Sequence, residues 1–193
     1  MWFSWGIIPF PRNANMAKRR KYIIGILTVI LLSVIGYILY VKIQGNFHAI
    51  TPAEAYRSGQ LDNHKLAEYV KQYNIRSILN LRGKHSGESW YEEEVATCAK
   101  LDVTHYDVSL SSDHELTEAE VGQLLDIFST APRPILIHCQ AGADRSGLVA
   151  AMWKVVVDKE PKDVAAQQLS LRYGHFPVGE THAMDRFFEK WSP

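Results

Sequence analysis

The chain reads as an α/β domain, a central and mostly parallel sheet flanked by helices, preceded by an N-terminal transmembrane helix. Three observations carry this. From residue 53 onward, short apolar runs of strand length alternate with longer runs of helical period, the pattern of strand–helix–strand units. One of those strands runs straight into a loop of small residues, His138–Gly147, and a helix-like run leaves it. Twenty residues without a formal charge, Tyr22–Val41, follow the basic cluster Lys18-Arg19-Arg20-Lys21.

The chain divides into a short basic N-terminal segment (1–21), a transmembrane signal anchor (22–43), a linker (44–52) that ends at Thr51-Pro52, and the α/β domain (53–193). At about 1.5 Å per residue the uncharged run forms a helix about 30 Å long, one bilayer core. Tyr22, Tyr37 and Tyr40 near its ends fit the aromatic belts, and the basic cluster on its N-terminal side predicts that the N-terminus stays inside and the domain lies outside. A cleaved signal peptide is the competing reading; its apolar region is shorter, and no convincing A-x-A site follows Val41. Trp2, Phe3 and Trp5 suit a membrane surface, and Met16 offers an alternative start.

Within the domain, Asp62–Tyr73 places Leu66, Tyr69 and Val70 at helical spacing behind a cap at Asp62, and Ile75–Leu81 reads as a buried strand. Glu88–Lys100 reads as a helix with Glu92-Glu93-Glu94 on a solvated face. Val103–Leu110 alternates as a strand, and Leu116–Ser129 is helical with Thr117 and Glu120 as a capping box. Pro134–His138 is the strand feeding the loop and Ser146–Val157 the helix leaving it. Lys162–Tyr173 and Thr181–Trp191 complete the helices. Ligand sites in such sheets lie beyond the carboxyl ends of the strands, where the loop falls.

Residues 1–21 hold five Lys or Arg and no acid, whereas from residue 46 onward 15 basic residues face 21 acidic ones, a balance of −6. A negative domain argues against nucleic acid as partner. Two cysteines, Cys98 and Cys139, are too few for a disulfide scaffold. With no C-x-x-C pair, no H-E-x-x-H and scattered histidines, neither a metal nor a cofactor is expected.

The loop itself, His138-Cys139-Gln140-Ala141-Gly142-Ala143-Asp144-Arg145-Ser146-Gly147, has the chemistry of a phosphate cradle with a nucleophile in it. Small side chains at Ala141, Gly142 and Ala143 let the backbone curl so that successive N–H groups point inward, and the following helix adds its positive end. The same donors favour the Cys139 thiolate, the attacking form of the group. Arg145 offers a planar fork for two phosphate oxygens, which lysine does not. Ser146 places a hydroxyl beside the sulfur, where it stabilises the thiolate as a leaving group. His, Cys, Gly, Arg and Ser at these spacings arise by chance about once per million windows, so a plain strand-to-helix turn with a buried cysteine is disfavoured.

This loop matches the HCxxGxxR[ST]G signature of the cysteine-dependent protein tyrosine phosphatases, and the small domain resembles their dual-specificity branch. Tyr56-Arg57-Ser58-Gly59-Gln60 and the segment ending Asn80-Leu81-Arg82 are similar to the YRSGQ and INLR stretches of small bacterial members. The resemblance covers about residues 50–190. It implies a dual-specificity phosphatase-like fold and hydrolysis of phosphotyrosine, with phosphoserine and phosphothreonine as further targets, through a phospho-cysteine intermediate. A phospholipid or inositol phosphate with the same mechanism is the alternative substrate, and a non-catalytic phosphate-binding module the alternative of another class. In a bacterium the protein would be a single-pass inner-membrane protein with its catalytic domain in the periplasm.

The chemistry also needs an acid to protonate the leaving oxygen. Asp113, on a loop after a strand end, matches the family's acid by position; Asp107, within the strand, is the runner-up, and capping the next helix is the competing role for Asp113. Gln140, Ala141, Gly142, Ala143, Asp144 and Ser146 complete the phosphate-binding set. Asp144 stands where commoner members carry a neutral or basic residue; a rim carboxylate disfavours substrates with further phosphates nearby, and pairing with a basic neighbour is the alternative. Arg82, Lys84 and His85 are candidates for one pocket wall, and Tyr173, His175 and Phe176 for stacking on an aromatic substrate. His138 is expected to orient the loop. Cys98 reads as core, or as a thiol that traps Cys139 in a disulfide.

Overall fold

The structure, a computed structural model, describes residues 14–193, so the reading of Trp2, Phe3 and Trp5 lies outside the described residues. The chain falls into two compact units that meet between Tyr40 and Val41. The described part of the first is helical, in α1 (Ala14–Ile43), whose stretch from residue 18 to 43 is long and apolar enough to cross a membrane. Its apolar side chains, Ile23, Leu27, Leu31 and Leu39 among them, are exposed.

The second unit is a five-stranded mixed sheet between two helical layers, in the order β1 (His48–Thr51), β2 (Ala55–Ser58), β5 (Ile135–His138), β3 (Ser77–Asn80), β4 (Thr104–Asp107). The last four in that order run parallel, and β1 is an antiparallel edge strand on β2. Strand alternation sorts the core into two clusters. Ala55, Leu79, Ile135 and Ile137 face α4 (Glu118–Thr130), α5 (Asp144–Val156) and α7 (His182–Lys190). Tyr56, Ile78 and Leu136 face α2 (Asn63–Gln72) and α3 (Ser89–Leu101). Each such buried aliphatic side chain contributes about 1.5–3 kcal/mol, and Ile78, Leu79, Ile135, Leu136 and Ile137 are sealed at 0 % exposure. The predicted caps form: Asp62 accepts from the Lys65 N–H at 2.8 Å, and Thr117 with Glu120 closes a capping box.

Two sequence expectations are corrected. The linker 44–52 contains β1, because Ala49 and Thr51 pair with Tyr56 and Ala55 and Ile50 enters the core. The single helix over 162–173 is broken into α6 (Lys162–Ala165) and short 3₁₀ turns at Ala166–Gln168 and Leu171–Tyr173. There Gln168 turns its backbone carbonyl and its side-chain oxygen to the Arg57 guanidinium, at 2.7 and 3.0 Å, and tertiary bonding overrides helix propensity.

Register sets the floor of the site. Ser58, His138, Asn80 and Asp107 stand side by side at the carboxyl ends of β2, β5, β3 and β4. Cys139 is the next residue after that row.

Candidate active site

The loop from Cys139 to Ala143 turns back on itself before α5, and its carbonyls decide its shape. The carbonyl of Gln140 accepts from the Gln60 N–H at 3.0 Å. That of Ala141 accepts from Asn46 Nδ2 at 3.1 Å, and that of Gly142 from Asn46 Nδ2 and Arg57 Nη2 at 3.2 and 3.0 Å. That of Ala143 accepts from Arg57 Nη2 at 3.0 Å. Carbonyls held outward on four successive residues turn the following N–H groups inward, the geometry of an anion nest. The Gly142 N–H donates to Cys139 Sγ at 3.3 Å, and Ser146 Oγ lies 3.4 Å from the same sulfur. Cys139 is buried at 2 % exposure, whereas Gln140 and Ala141 form the open lip. Gly142 has φ +74°, and a Cβ there would stand 2.5 Å from Gly59 N and 2.6 Å from Ser58 C, so only glycine fits.

Arg57 is the largest surprise of the site. It is wholly buried, makes all its hydrogen bonds to carbonyl oxygens, and lies 4.4 Å from the Tyr173 ring centroid. Burial lowers its pKa to about 10, against the opposing pull of Tyr173, Cys139 and Asp144. Among the described residues no carboxylate is bonded to it, and its hydrogen bonds go to the carbonyls of Gly142, Ala143 and Gln168 and the Gln168 side chain. Arg145 donates through Nη1 to the carbonyls of Leu110 and Leu81, at 3.2 and 3.4 Å. Its Nε and Nη2 have no bonding partner among the described residues, which leaves the forked edge for two oxygens of one phosphoryl group.

Asp144 enters a relay through the buried His175. Its Oδ1 lies 2.7 Å from His175 Nδ1, and His175 Nε2 lies 3.0 Å from Asp185 Oδ2 of α7. Burial works against the imidazolium, but bonds to Asp144 and Asp185 outweigh it and raise the His175 pKa. The rim carboxylate is thus paired with a basic neighbour. This also corrects the stacking expectation: Tyr173 and His175 are buried and occupied, and of that trio only Phe176 is exposed.

A second network backs the loop from the other face. Glu94, read from sequence as part of a solvated face, is 3 % exposed. It takes His138 Nε2 at 3.1 Å, His105 Nε2 at 2.9 Å and Gln60 Nε2 at 2.6 Å. Burial pushes its carboxyl up, yet the charge of His138 and the bonds from His105, His138 and Gln60 prevail and hold it well below the usual carboxylate range. His138 also reaches the Cys139 carbonyl at 3.4 Å, so it orients the nucleophile's backbone as expected. Arg82 lies 3.5 Å over the Trp90 ring and donates to Gln60 Oε1 at 3.0 Å, whereas Lys84 and His85 are exposed.

Asp113 lies on the loop after β4, its side chain 41 % exposed beside Ser111 and His114. Among the described residues no hydrogen bond joins it to Cys139 or Arg145; its loop meets the site through the Leu110 carbonyl on Arg145. Asp107 is fixed, accepting from Asn80 Nδ2 at 2.8 Å and the Tyr91 hydroxyl at 2.6 Å. Cys98 belongs to the core cluster opposite that of Cys139, and burial, then Glu94 and Asp107, push its thiol up to about 12. Both cysteines are free thiols. No group of His, Cys, Asp and Glu able to hold a metal occurs among the described residues.

A cysteine just past the end of a parallel strand, its sulfur bonded by a loop N–H and met by a hydroxyl, with an arginine opening the next helix, is the arrangement of the cysteine-loop phosphatase class. Within that class, residues 43–185 match the family described as DSP-PTPase phosphatase fused to NAD+ kinase, and the chain belongs to it. It is similar to the dual specificity protein phosphatase TpbA of Pseudomonas aeruginosa, 27 % identical over 126 residues, 64 % of this chain and 53 % of TpbA. It is also similar to human CDC14C, another dual specificity protein phosphatase, 30 % identical over 86 residues, 45 % of this chain and 18 % of that one. The chain thus spans about half the length, or less, of these curated relatives. Among solved structures, TpbA superposes with a TM-score of 0.61 at 21 % identity, covering 76 % of this chain and 85 % of that one. The catalytic core of the PP-IP phosphatase Siw14 from S. cerevisiae does so with the same score, identity and coverage. These superpositions establish a shared fold.

Proposed function

We propose that the chain is a cysteine-dependent phosphatase that hydrolyses phosphotyrosine, and also phosphoserine and phosphothreonine, through a phospho-cysteine intermediate. The observation that carries this reading is the Cys139 sulfur, which accepts from the Gly142 N–H and lies 3.4 Å from the Ser146 hydroxyl. A phosphate-binding module would need the amides and Arg145 but not a nucleophile.

In the first step the thiolate forms an S–P bond as the P–O bond to the leaving group breaks, and Asp113 gives its proton to the departing oxygen. Gln140, Ala141, Gly142, Ala143 and Asp144 present their amides to the phosphoryl oxygens, and the free edge of Arg145 follows them as the phosphorus flattens. In the second step Asp113 takes a proton from water, the water oxygen bonds to phosphorus, and the S–P bond breaks with Ser146 donating toward the returning thiolate. No step requires a metal or a cofactor. The exposure of Asp113 and the tie between its loop and Arg145 support a loop that closes as the phosphate engages the guanidinium.

The substrate reading draws on TpbA, of which a cysteine-to-serine form has been solved in complex with pTyr. A second reading keeps the mechanism and changes the substrate to an inositol phosphate or a phospholipid headgroup. The likeness to a PP-IP phosphatase and the apolar helix α1 favour it. For α1 we propose a single-pass anchor in the inner membrane of a bacterium with the domain in the periplasm, on the strength of the basic cluster before it.

The test is Cys139→Ser in the full chain, assayed on a phosphotyrosine peptide, on phosphoserine and phosphothreonine peptides, and on vesicles carrying a phosphoinositide. Turnover should vanish while phosphopeptide binding survives. Unchanged turnover would remove Cys139 as nucleophile, and hydrolysis of the vesicle substrate alone would establish the lipid reading.

A further inference from the structure

Three residues beyond the end of α1, Asn46 reaches into the catalytic loop. We infer that Asn46, the last residue of the strap Gln44–Asn46, is a positioning residue for phosphoryl transfer; the inference rests on the phosphatase reading.

The strap follows from local chemistry. The Asn46 N–H bonds to the Val41 carbonyl at 2.8 Å and the Gly45 N–H to that of Lys42 at 3.1 Å, which closes the helix end with two residues at positive φ, +67° at Gly45 and +51° at Asn46. Glycine enters that region freely, and asparagine more readily than other residues with a side chain. The turned chain is then fastened at each position. The Tyr69 hydroxyl bonds to the carbonyl and side-chain oxygen of Gln44 at 3.1 and 2.9 Å, and the Gly59 N–H to the Gly45 carbonyl at 2.7 Å.

At Asn46 the fastening becomes functional. Its Nδ2 lies 3.1 Å from the Ala141 carbonyl, 3.2 Å from that of Gly142 and 2.9 Å from that of Tyr173, and its Oδ1 meets His48 Nε2 at 3.0 Å. The side chain is buried, with the residue 8 % exposed. One peptide plane carries the carbonyl of a residue and the N–H of the next. Holding the Ala141 carbonyl outward therefore aims the Gly142 N–H at the sulfur, where it is found at 3.3 Å, and holding the Gly142 carbonyl outward aims the Ala143 N–H into the bowl. Arg57 shares the Gly142 carbonyl, but for Ala141 the Asn46 amide is the one donor seen among the described residues. A residue sequence reasoning assigned to a linker thus sets the direction of two phosphate-binding amides.

The experiment uses the full chain in detergent micelles with p-nitrophenyl phosphate as substrate and orthovanadate as inhibitor. Asn46→Gly keeps the positive φ and removes the donors; Asn46→Asp keeps the shape and replaces the donors with an acceptor. Both should lower kcat about tenfold with KM within about twofold, and weaken vanadate inhibition by a similar factor, because misdirected amides cost most where charge develops on the phosphoryl oxygens. Gln44→Ala, which loosens the same strap away from the loop, should lower the melting temperature and leave kcat unchanged. Wild-type kcat in Asn46→Gly overturns the proposal, as does an equal kcat loss in Gln44→Ala, which would make the strap a generic brace. If Asn46→Asp fails to fold, Asn46→Gly alone decides. A wild-type chain that hydrolyses no phosphoester would overturn the phosphatase reading itself.

Discussion

Gly142→Ala puts the loop geometry to its most direct test. The added methyl carbon would lie 2.5 Å from Gly59 N, 2.6 Å from Ser58 C and 2.9 Å from Ser58 O. Ordinary contacts of this kind sit near 3.5 Å, so the loop must retreat from the end of β2 by about 1 Å. The obstacles are backbone atoms, so no rotamer change relieves them. Alanine at φ +74° adds about 1–2 kcal/mol of conformational cost, and overpacking adds about 1–3 kcal/mol. A total of about 2–5 kcal/mol corresponds to a melting temperature lower by about 4–20 °C in a domain of this size. The same retreat pulls the Gly142 N–H off the sulfur and displaces the neighbouring amides; a displacement of about 1 Å costs roughly 10²-fold in rate, or about 2.7 kcal/mol. Melting curves, and kcat on p-nitrophenyl phosphate assayed well below the melting temperature, both on full-chain protein, measure the two effects. A variant with wild-type kcat would refute the claim that the loop's backbone position governs catalysis.

Asp113→Asn should depress turnover of an alkyl phosphate, a poor leaving group, more than that of p-nitrophenyl phosphate; equal losses would transfer the acid role to Asp107 or water. His175 gains its proton-holding partners only on folding, so its pKa is higher in the folded chain than the ordinary 6.5. Its contribution to stability is therefore fully present below about pH 6.5 and is lost as pH rises through the folded value. Urea unfolding of wild type and His175→Gln between about pH 5.5 and 9 should show a stability gap that narrows with rising pH, and a gap that widens would contradict the Asp144–His175–Asp185 relay.

The loop was legible because its chemistry is local: a nucleophile, small residues, a guanidinium and a hydroxyl lie within ten consecutive positions. The strands and the capped helices α2 and α4 were legible from period and from Asp62 and Thr117. Glu94 escaped because its partners are His105 and His138, the latter 44 residues away, and because three consecutive acids suggest solvent. One signal was there: Tyr91, Glu94 and Cys98 share a helical face, and its other two members are apolar or weakly polar. Arg57 gave no such warning, since the carbonyls that bury it lie 85 to 111 residues further on. The edge strand β1 was missed because a four-residue strand with one buried side chain has too short a pattern to distinguish from a linker.

The sheet keeps the chain's two sulfurs apart, Cys139 in the layer of α5 and Cys98 in the layer of α3. Hydrogen peroxide that reaches the nucleophile would make a sulfenic acid with no second thiol of the same chain to condense with. Recovery of such a molecule depends on a small-molecule thiol or a reductase arriving from outside before a second equivalent of oxidant does, so its surroundings, rather than its own fold, decide whether peroxide pauses it or destroys it.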